Sequence, residues 1–339
     1  MNSDLLGKAD ILRNGAVVLG NYAVCDGYEK QRPFHFFTHI HGDHIKEFET
    51  SLLNSENLVG SVQTKELLIA LKGDYLALRR NLRALEYGKT QQIGPDKVTL
   101  YQAKHMLGSS RILIEDEKGT RILYTGDFQM PGTTPIETDV LVIDAANGGP
   151  SDIRRYDLNE PIEKLTAFVK KTVEKTPVYI TSCCGKVQRV MNILHTNDVG
   201  VPFIGRPEMG RIAKVYQKYG IPTGEILSVD SKEAREILNR EQPCVVFDVG
   251  PDETYMSPKF PQLRVSQYET RSPFAETRPN NYSVTLADHA DFDGVMTYVR
   301  ESKPKLVLTD SKRHGYKAAQ LAREIENQFN VKAKALPYA

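Results

Sequence analysis

From Ile11 to Cys25 apolar and polar positions alternate, broken by Gly15 and Gly20. This period of two predicts a β-meander that closes at Asp26-Gly27. The aromatic, β-prone run Phe34 to Thr38 predicts a buried strand, and the segment after His44 predicts a helix opening. Thr64 to Leu71 and Tyr75 to Leu85 carry helical spacing, the second with Arg79, Arg80 and Arg83 on a solvated face. Val98 to Gln102 predicts a strand. Arg111 to Glu115 and Arg121 to Tyr124 predict a hairpin turning at Lys118-Gly119, and Val140 to Ile143 a further buried strand.

The pattern then changes. A charged helix is expected over Asp152 to Lys175, a strand over Pro177 to Thr181, and a helix opened by Gly185 and running through Leu194. A strand at Val201 to Gly205, a helix at Pro207 to Tyr219 and a strand at Cys244 to Asp248 continue the alternation, which predicts a doubly wound unit. Beyond Val284 come a helix over Phe292 to Arg300, a strand over Lys305 to Thr309 and a helix over Lys317 to Gln328. The expected organisation is an α/β chain whose residues 1–149 and 284–339 form one domain, with 150–283 inserted as a second.

Composition narrows this only in part. With 339 residues, 40% hydrophobic and 26% charged, the chain has ample material for a core. A net charge of +1 provides no global attraction to nucleic acid, so any such binding must come from a local patch. Adjacent Cys183 and Cys184 cannot readily bridge, and with Cys25 and Cys244 they form no C-x-x-C spacing. All are expected as thiols in a reducing cytoplasm. Met1 to Lys8 lacks the apolar core of a signal peptide, and no run is long enough for a membrane span.

The chemistry concentrates in Thr38-His39-Ile40-His41-Gly42-Asp43-His44, where three of the chain's eight histidines fall. Imidazoles and carboxylates are ligands for a divalent metal, zinc above all. His39 and His41 are spaced to grip one ion, and Asp43 and His44 to turn toward a second. His35 and His195 lie outside this pattern and are read as structural.

The H-x-H-x-D-H run resembles that of the metallo-β-lactamase superfamily. Further matches follow in order: His105 in Lys104-His105-Met106-Leu107-Gly108-Ser109, Asp127 in Tyr124-Thr125-Gly126-Asp127-Phe128, and His289 in Ala287-Asp288-His289-Ala290-Asp291. The resemblance implies an αββα sandwich and two divalent metal ions, zinc first and manganese as the alternative. It implies His39, His41 and His105 on one ion, Asp43, His44 and His289 on the other, and Asp127 bridging. It also makes Asp26 a residue that orients a metal-ligand histidine.

The insertion between Asp127 and His289 resembles the cap of the β-CASP group, nucleases acting on DNA or RNA. Asp144 sits where that group carries an acidic residue, expected to orient a ligand or handle a proton. Gly185-Lys186-Val187-Gln188-Arg189 resembles its cap-helix segment. Ser182, Gly185, Lys186 and Arg189 are therefore expected to contact the phosphate chain, Gly185 through free backbone N–H groups at a helix N-terminus. The strand Leu306 to Thr309 ends in Asp310-Ser311, where RNA-processing members have His-Gly; here His314-Gly315 comes later. His314 is the candidate to protonate the leaving group, with Asp310 the alternative. Asp26 to His44 looks closer to Artemis-like enzymes, and Val284 to Tyr316 to ligase-associated DNA exonucleases and their archaeal relatives. The implied activity is an exonuclease on single-stranded DNA in repair. The alternatives are an RNA-processing nuclease resembling archaeal mRNA 3′-end processing factors, a small-molecule metallohydrolase, and a binding subunit without catalysis.

Overall fold

The computed structural model describes residues 3–249, 259–267 and 272–338. It is a mixed α/β structure that divides into two compact units, one of residues 1–69, 74–154 and 288–339, the other of 70–73 and 155–287. Among the described residues no helix is long and apolar enough to cross a membrane.

In the first unit the meander pattern becomes β1 (Ala9–Ile11), β2 (Val17–Leu19) and β3 (Ala23–Cys25), followed by β4 (Phe34–Phe36), β5 (Asn57–Ser61) and β6 (Leu82–Leu85). Then come β7 (Thr90–Ile93), β8 (Asp96–Gln102), β9 (Ser110–Glu115), β10 (Arg121–Tyr124) and β11 (Val140–Ile143). The second unit holds β12 (Val178–Ser182), β13 (Phe203–Gly205), β14 (Ile226–Ser228), β15 (Val245–Val249), β16 (Gln262–Ser266), β17 (Phe274–Arg278) and β18 (Asn281–Thr285). The chain then contributes β19 (Leu306–Asp310) and β20 (Lys332–Leu336) to the first unit.

Strands β1 to β6 form one sheet in sequence order. The second sheet runs β20-β19-β11-β10-β9-β8-β7, so β19 returns beside β11 as a parallel neighbour. One core holds Val17, Leu19, Cys25 and Phe36 from the first sheet and Ile112, Ile114, Ile122, Tyr124, Val142 and Leu308 from the second, so the sheets bury a shared face. The alternate residues Leu113, Leu123, Leu141, Ile143 and Val307 join Val295, Val299, Leu321 and Ile325 of the helices Phe292–Ser302 and Tyr316–Phe329. The central strands β9, β10, β11 and β19 are thus buried on both faces, which is why they read as nearly continuous apolar runs rather than as clean alternation.

The second unit is a sheet of order β14-β13-β15-β12-β16-β18-β17. Its helices Glu160–Val173, Lys186–Thr196 and Pro207–Lys218 contribute Leu165, Val169, Val190, Leu194, Met209 and Ala213 to a core with Ile180, Val245 and Phe247.

Several expectations are corrected. The helix expected over Tyr75 to Leu85 is a short 3-10 turn, Asp74–Leu78, followed by β6, because Leu82 to Leu85 pair with Leu58 to Ser61 of β5. Sheet pairing outweighs local helical spacing there. The helix after His44 starts only at Phe48. The helix expected from Asp152 begins at Glu160, after the 3-10 turn Pro150–Asp152. The compact units divide at 154/155 and 287/288, within a few residues of the domain bounds expected at 149/150 and 283/284. Arg154 bonds to His289 and Asp291 of its own unit, and β18 pairs with β16 through Thr285.

Asp291 caps the helix Phe292–Ser302 with one carboxylate oxygen on the Gly294 N–H at 3.0 Å and takes the Arg154 N–H on the other at 3.1 Å. Asp291→Ala is expected to lower stability by about 1–2 kcal/mol, seen as a lower urea midpoint at unchanged slope. An unmoved midpoint would show that neither bond contributes.

Candidate metal centre

Strand direction assembles the site. β8 is antiparallel to β9 and β9 to β10, while β10, β11 and β19 are parallel neighbours. The C-terminal ends of β8, β10, β11 and β19 therefore lie along one edge. His105, Asp127, Asp144 and His314 follow those ends, and His39, His41, Asp43 and His44 follow β4. His289 stands just ahead of its capped helix. Gly126 is required next to Asp127, since its φ is +52° and a Cβ there would meet Thr38 at 2.9 Å.

The centre is Asp127, only 6% exposed. Its Oδ2 lies 3.5 Å from His39 Nε2, 3.5 Å from His105 Nε2 and 3.6 Å from His289 Nε2. Its Oδ1 lies 3.3 Å from His44 Nε2. His41 Nδ1 is 3.1 Å from His105 Nε2, and Asp43 Oδ2 is 3.5 Å from His44 Nε2 on the exposed side. His39, His41, His105 and Asp127 form one group whose ligand atoms are close enough to share an ion; Asp127, Asp144 and His289 form another. A third, His105, Asp288 and His289, brings in Asp288, which sequence reading passed over.

The outer hydrogen bonds set the tautomers. His44 Nδ1 is 2.7 Å from Asp26 Oδ2, His289 Nδ1 2.6 Å from Asp144 Oδ2, and His105 Nδ1 2.9 Å from the Asp288 carbonyl. Each bond turns the ring's Nε2 inward. His39 Nε2 and His44 Nε2 are buried with no hydrogen-bond partner among the described residues. Buried polar nitrogens are rarely left so. Orphaned nitrogens converging on a carboxylate are the donor set of a divalent cation, so these residues fit the metals their pattern implies.

Electrostatics agree. Burial, reinforced by the neighbouring His44, pushes His39 down to about 3, which keeps it a neutral ligand. Burial likewise holds His105 well below its ordinary value. Burial also works against charge on His289, but Asp144 and Asp127 outweigh it and raise the group to about 10. Asp127 and then Asp26 raise His44 in the same way. Against the cost of their own burial, the Asp127 and Asp144 carboxylates are held below the usual range, chiefly by His44 and His289 respectively.

Asp26 has a φ of +52° and accepts the Thr38 N–H at 2.8 Å, the Thr38 hydroxyl at 2.7 Å and the Tyr124 hydroxyl at 3.0 Å besides facing His44. His314 Nε2 is 3.1 Å from Asp144 Oδ1. Asp310 instead caps the turn Ser311–His314, accepting the Lys312 and Arg313 N–H groups, and pairs with the Arg313 guanidinium. Sequence reading passed over Thr38, Tyr124 and Arg313; none has a ligand's chemistry, and only adjacency to His39 or His314 pointed to two of them. His35 bonds to Ser51 and the Arg32 carbonyl, a structural role.

In the second unit, the expectation of a free Gly185 N–H is corrected. That group donates to Gln188 Oε1 at 2.7 Å, since the N-terminus of the helix Lys186–Thr196 closes on its own side chain. The Ser182 hydroxyl donates to the Val265 carbonyl, Lys186 Nζ to Gln267 Oε1, and Arg189 Nη1 to the Ala287 carbonyl.

A buried imidazole cage around one carboxylate, at the strand ends of a mixed α/β fold, defines a metal-site protein of hydrolase type. The comparisons specify the group. No protein-family model matches the chain. An uncharacterized protein in the lig 3′ region of Acidianus ambivalens is 33% identical over 140 residues, 40% of this chain and 99% of that one. A probable DNA ligase of Opitutus terrae is 25% identical over 304 residues, 85% of this chain but 28% of that one. The 5′ exonuclease Apollo of Gallus gallus is 24% identical over 311 residues, 87% of this chain and 63% of that one. A shorter match, 32% over 130 residues, runs to the RNase J-like protein of Methanocaldococcus jannaschii and covers 34% of this chain and 30% of that one. A solved structure of a protein of unknown function from Enterococcus faecalis shares the fold, with TM-score 0.59 and 15% identity over 92% of this chain and 81% of that one. The chain belongs to the metallo-β-lactamase superfamily, in its β-CASP nuclease group.

A divalent ion reaching the inward Nε2 atoms must displace protons from His44 and His289, both raised above their ordinary range. Zinc loading near neutral pH should release protons, and metal affinity should climb with pH until His289 has lost its proton at about 10. Calorimetry in two buffers of different ionisation enthalpy measures this. Heats that do not depend on the buffer would refute it.

Proposed function

We propose that the chain is a two-metal nuclease acting as an exonuclease on single-stranded DNA. The fold in this reading is a metallo-β-lactamase αββα sandwich, 1–149 and 284–339, with a β-CASP cap inserted at 150–283. The observation that carries it is Asp127, whose Oδ2 faces His39, His105 and His289 while Oδ1 faces His44. One carboxylate with imidazoles on both oxygens suits a bridge between two cations. In this assignment His39, His41 and His105 hold one ion, Asp43, His44 and His289 the other. Five imidazoles favour zinc, and the carboxylates admit manganese. When bound, such a pair supplies Lewis acidity at the phosphate and lowers the pKa of water.

The protein's own groups do the rest. Asp26 and Asp144 hold His44 and His289 in the tautomers that present Nε2. His314, 15% exposed at its side chain and bonded to Asp144, is assigned to pass a proton to the leaving oxygen. In the second unit Ser182, Lys186 and Arg189 are assigned to the strand, while Gly185 would meet it only by giving up its bond to Gln188. Lys186 must exchange Gln267, and Arg189 the Ala287 carbonyl, to meet a phosphate.

A DNA substrate is supported by the likeness of Asp26 to His44 to Artemis-like enzymes and by the relative named as a DNA ligase. A second reading, an RNA-processing nuclease, is favoured by His314: a His-Gly pair reaches Asp144 here despite its later position, and one relative is named RNase J-like.

Two outcomes are expected. End-labelled single-stranded DNA and RNA of one sequence, incubated with zinc or manganese, should be shortened from one end, the DNA faster; faster loss of RNA selects the second reading, and no cleavage of either refutes both. His289→Ala should keep the ion on His39, His41 and His105, lose affinity at the other position, and drop turnover by roughly a hundredfold or more. A folded His289→Ala protein with two tight ions and full activity would contradict the ligand assignment.

A further inference from the structure

Arg313 precedes His314, yet none of the chemistry above uses it. Its side chain is 7% exposed. Nη1 donates to Asp310 Oδ2 at 2.5 Å and to the Gly15 carbonyl at 2.9 Å, and Nη2 donates to the Asp26 carbonyl at 2.9 Å. One guanidinium thus joins the turn between β1 and β2, the end of β3 and the end of β19.

Asp26 is the contact with consequences. It occupies the left-handed region at φ +52°, which side-chain-bearing residues hold only when their surroundings over-determine them. Behind it Gly27 abuts Ala16, where a Cβ would fall 2.5 Å from the Ala16 Cα. The Asp26 carboxylate faces the other way, toward Thr38, Tyr124 and His44. Rotation of the Asp26 backbone would swing that carboxylate away from His44 Nδ1 and release the ring. Arg313 holds the carbonyl on one side of this pivot while His44 is held on the other.

We propose that Asp310 and Arg313 form a positioning pair: Asp310 aligns the Arg313 fork, Arg313 fixes the Asp26 backbone, and Asp26 thereby keeps His44 Nε2 turned toward Asp127. The inference rests on the reading of His44 as a metal ligand. An arginine is required because its planar fork reaches a carboxylate and two carbonyls at once, whereas a lysine is a single point charge.

The test compares wild type, Arg313→Lys, Arg313→Ala, Asp310→Asn and His44→Ala after metal removal. Zinc is titrated against a chromophoric chelator, cobalt(II) is loaded for its visible spectrum, and thermal melts verify folding. Wild type should take up two ions. Arg313→Lys should bind one ion normally and the other roughly ten- to a hundredfold more weakly, as for loss of a partner that orients a ligand, with altered cobalt bands. Asp310→Asn should do the same to a smaller degree. Added methylguanidinium should restore the weak site of Arg313→Ala but not that of Arg313→Lys. Wild-type affinity and spectrum in folded Arg313→Lys overturn the pair, and so does loss of both ions together with a collapsed melt, which marks a role in folding alone. His44→Ala retaining both ions tightly overturns the metal reading itself, an outcome independent of what Arg313 does.

Discussion

The centre depends on one buried carboxylate. Asp127 is 6% exposed, and burial alone favours its neutral form. Its ionisation is sustained by imidazoles within 3.3–3.6 Å, two of which carry raised pKa values for the same reason. Each group keeps the other charged in a place where neither ionises alone. The same arrangement suits a cation: an ionised carboxylate with imidazole nitrogens turned toward it is the donor set a divalent ion prefers.

The imidazoles face inward because of what stands behind them. Asp26, Asp144 and the Asp288 carbonyl each hold an Nδ1, and both carboxylates accept a backbone N–H besides, Asp26 from Thr38 and Asp144 from Ala146. Asp144 Oδ1 accepts the Ala146 N–H while Oδ2 faces His289. Asn147 and Arg154 bond to the Ala290 and His289 carbonyls. The loop bearing His289, 145 residues along the chain from Asp144, is therefore fastened to the segment that follows β11. Geometry set by a sheet edge is stiffer than geometry set by loop packing, which is what a site with tight distance requirements calls for.

Much of this was legible in the sequence, for physical reasons that differ by element. His39, His41, Asp43 and His44 share one loop, so ligand chemistry showed in a local motif; the structure brings His105, Asp127 and His289 to it. The central strands β9, β10, β11 and β19 of the second sheet were legible because burial on both faces makes them nearly continuous apolar runs. Legibility failed where pairing rather than composition decides. Leu82-Arg83-Ala84-Leu85 looks helical until β5 offers it a partner, and β20, beside β19, has only Ala333 and Leu336 buried. In the second unit, Gln188 closing on Gly185 removed an N–H that helix position alone marked as available.

Arg313 was illegible for another reason. In Lys312-Arg313-His314 it reads as one charge of a basic run, and such runs are usually solvated. What buries it is not its neighbours in sequence but two carbonyls, at Gly15 and Asp26, contributed from nearly three hundred positions away. A guanidinium buried this far needs a counterion beside it, and the short turn Ser311–His314 supplies one: Asp310 three residues back. That turn also fixes where His314 falls. With Asp310 capping it, the chain needs four residues beyond β19 before a histidine reaches Asp144. The turn that pairs Asp310 with Arg313 is thus the same turn that brings His314 to Asp144.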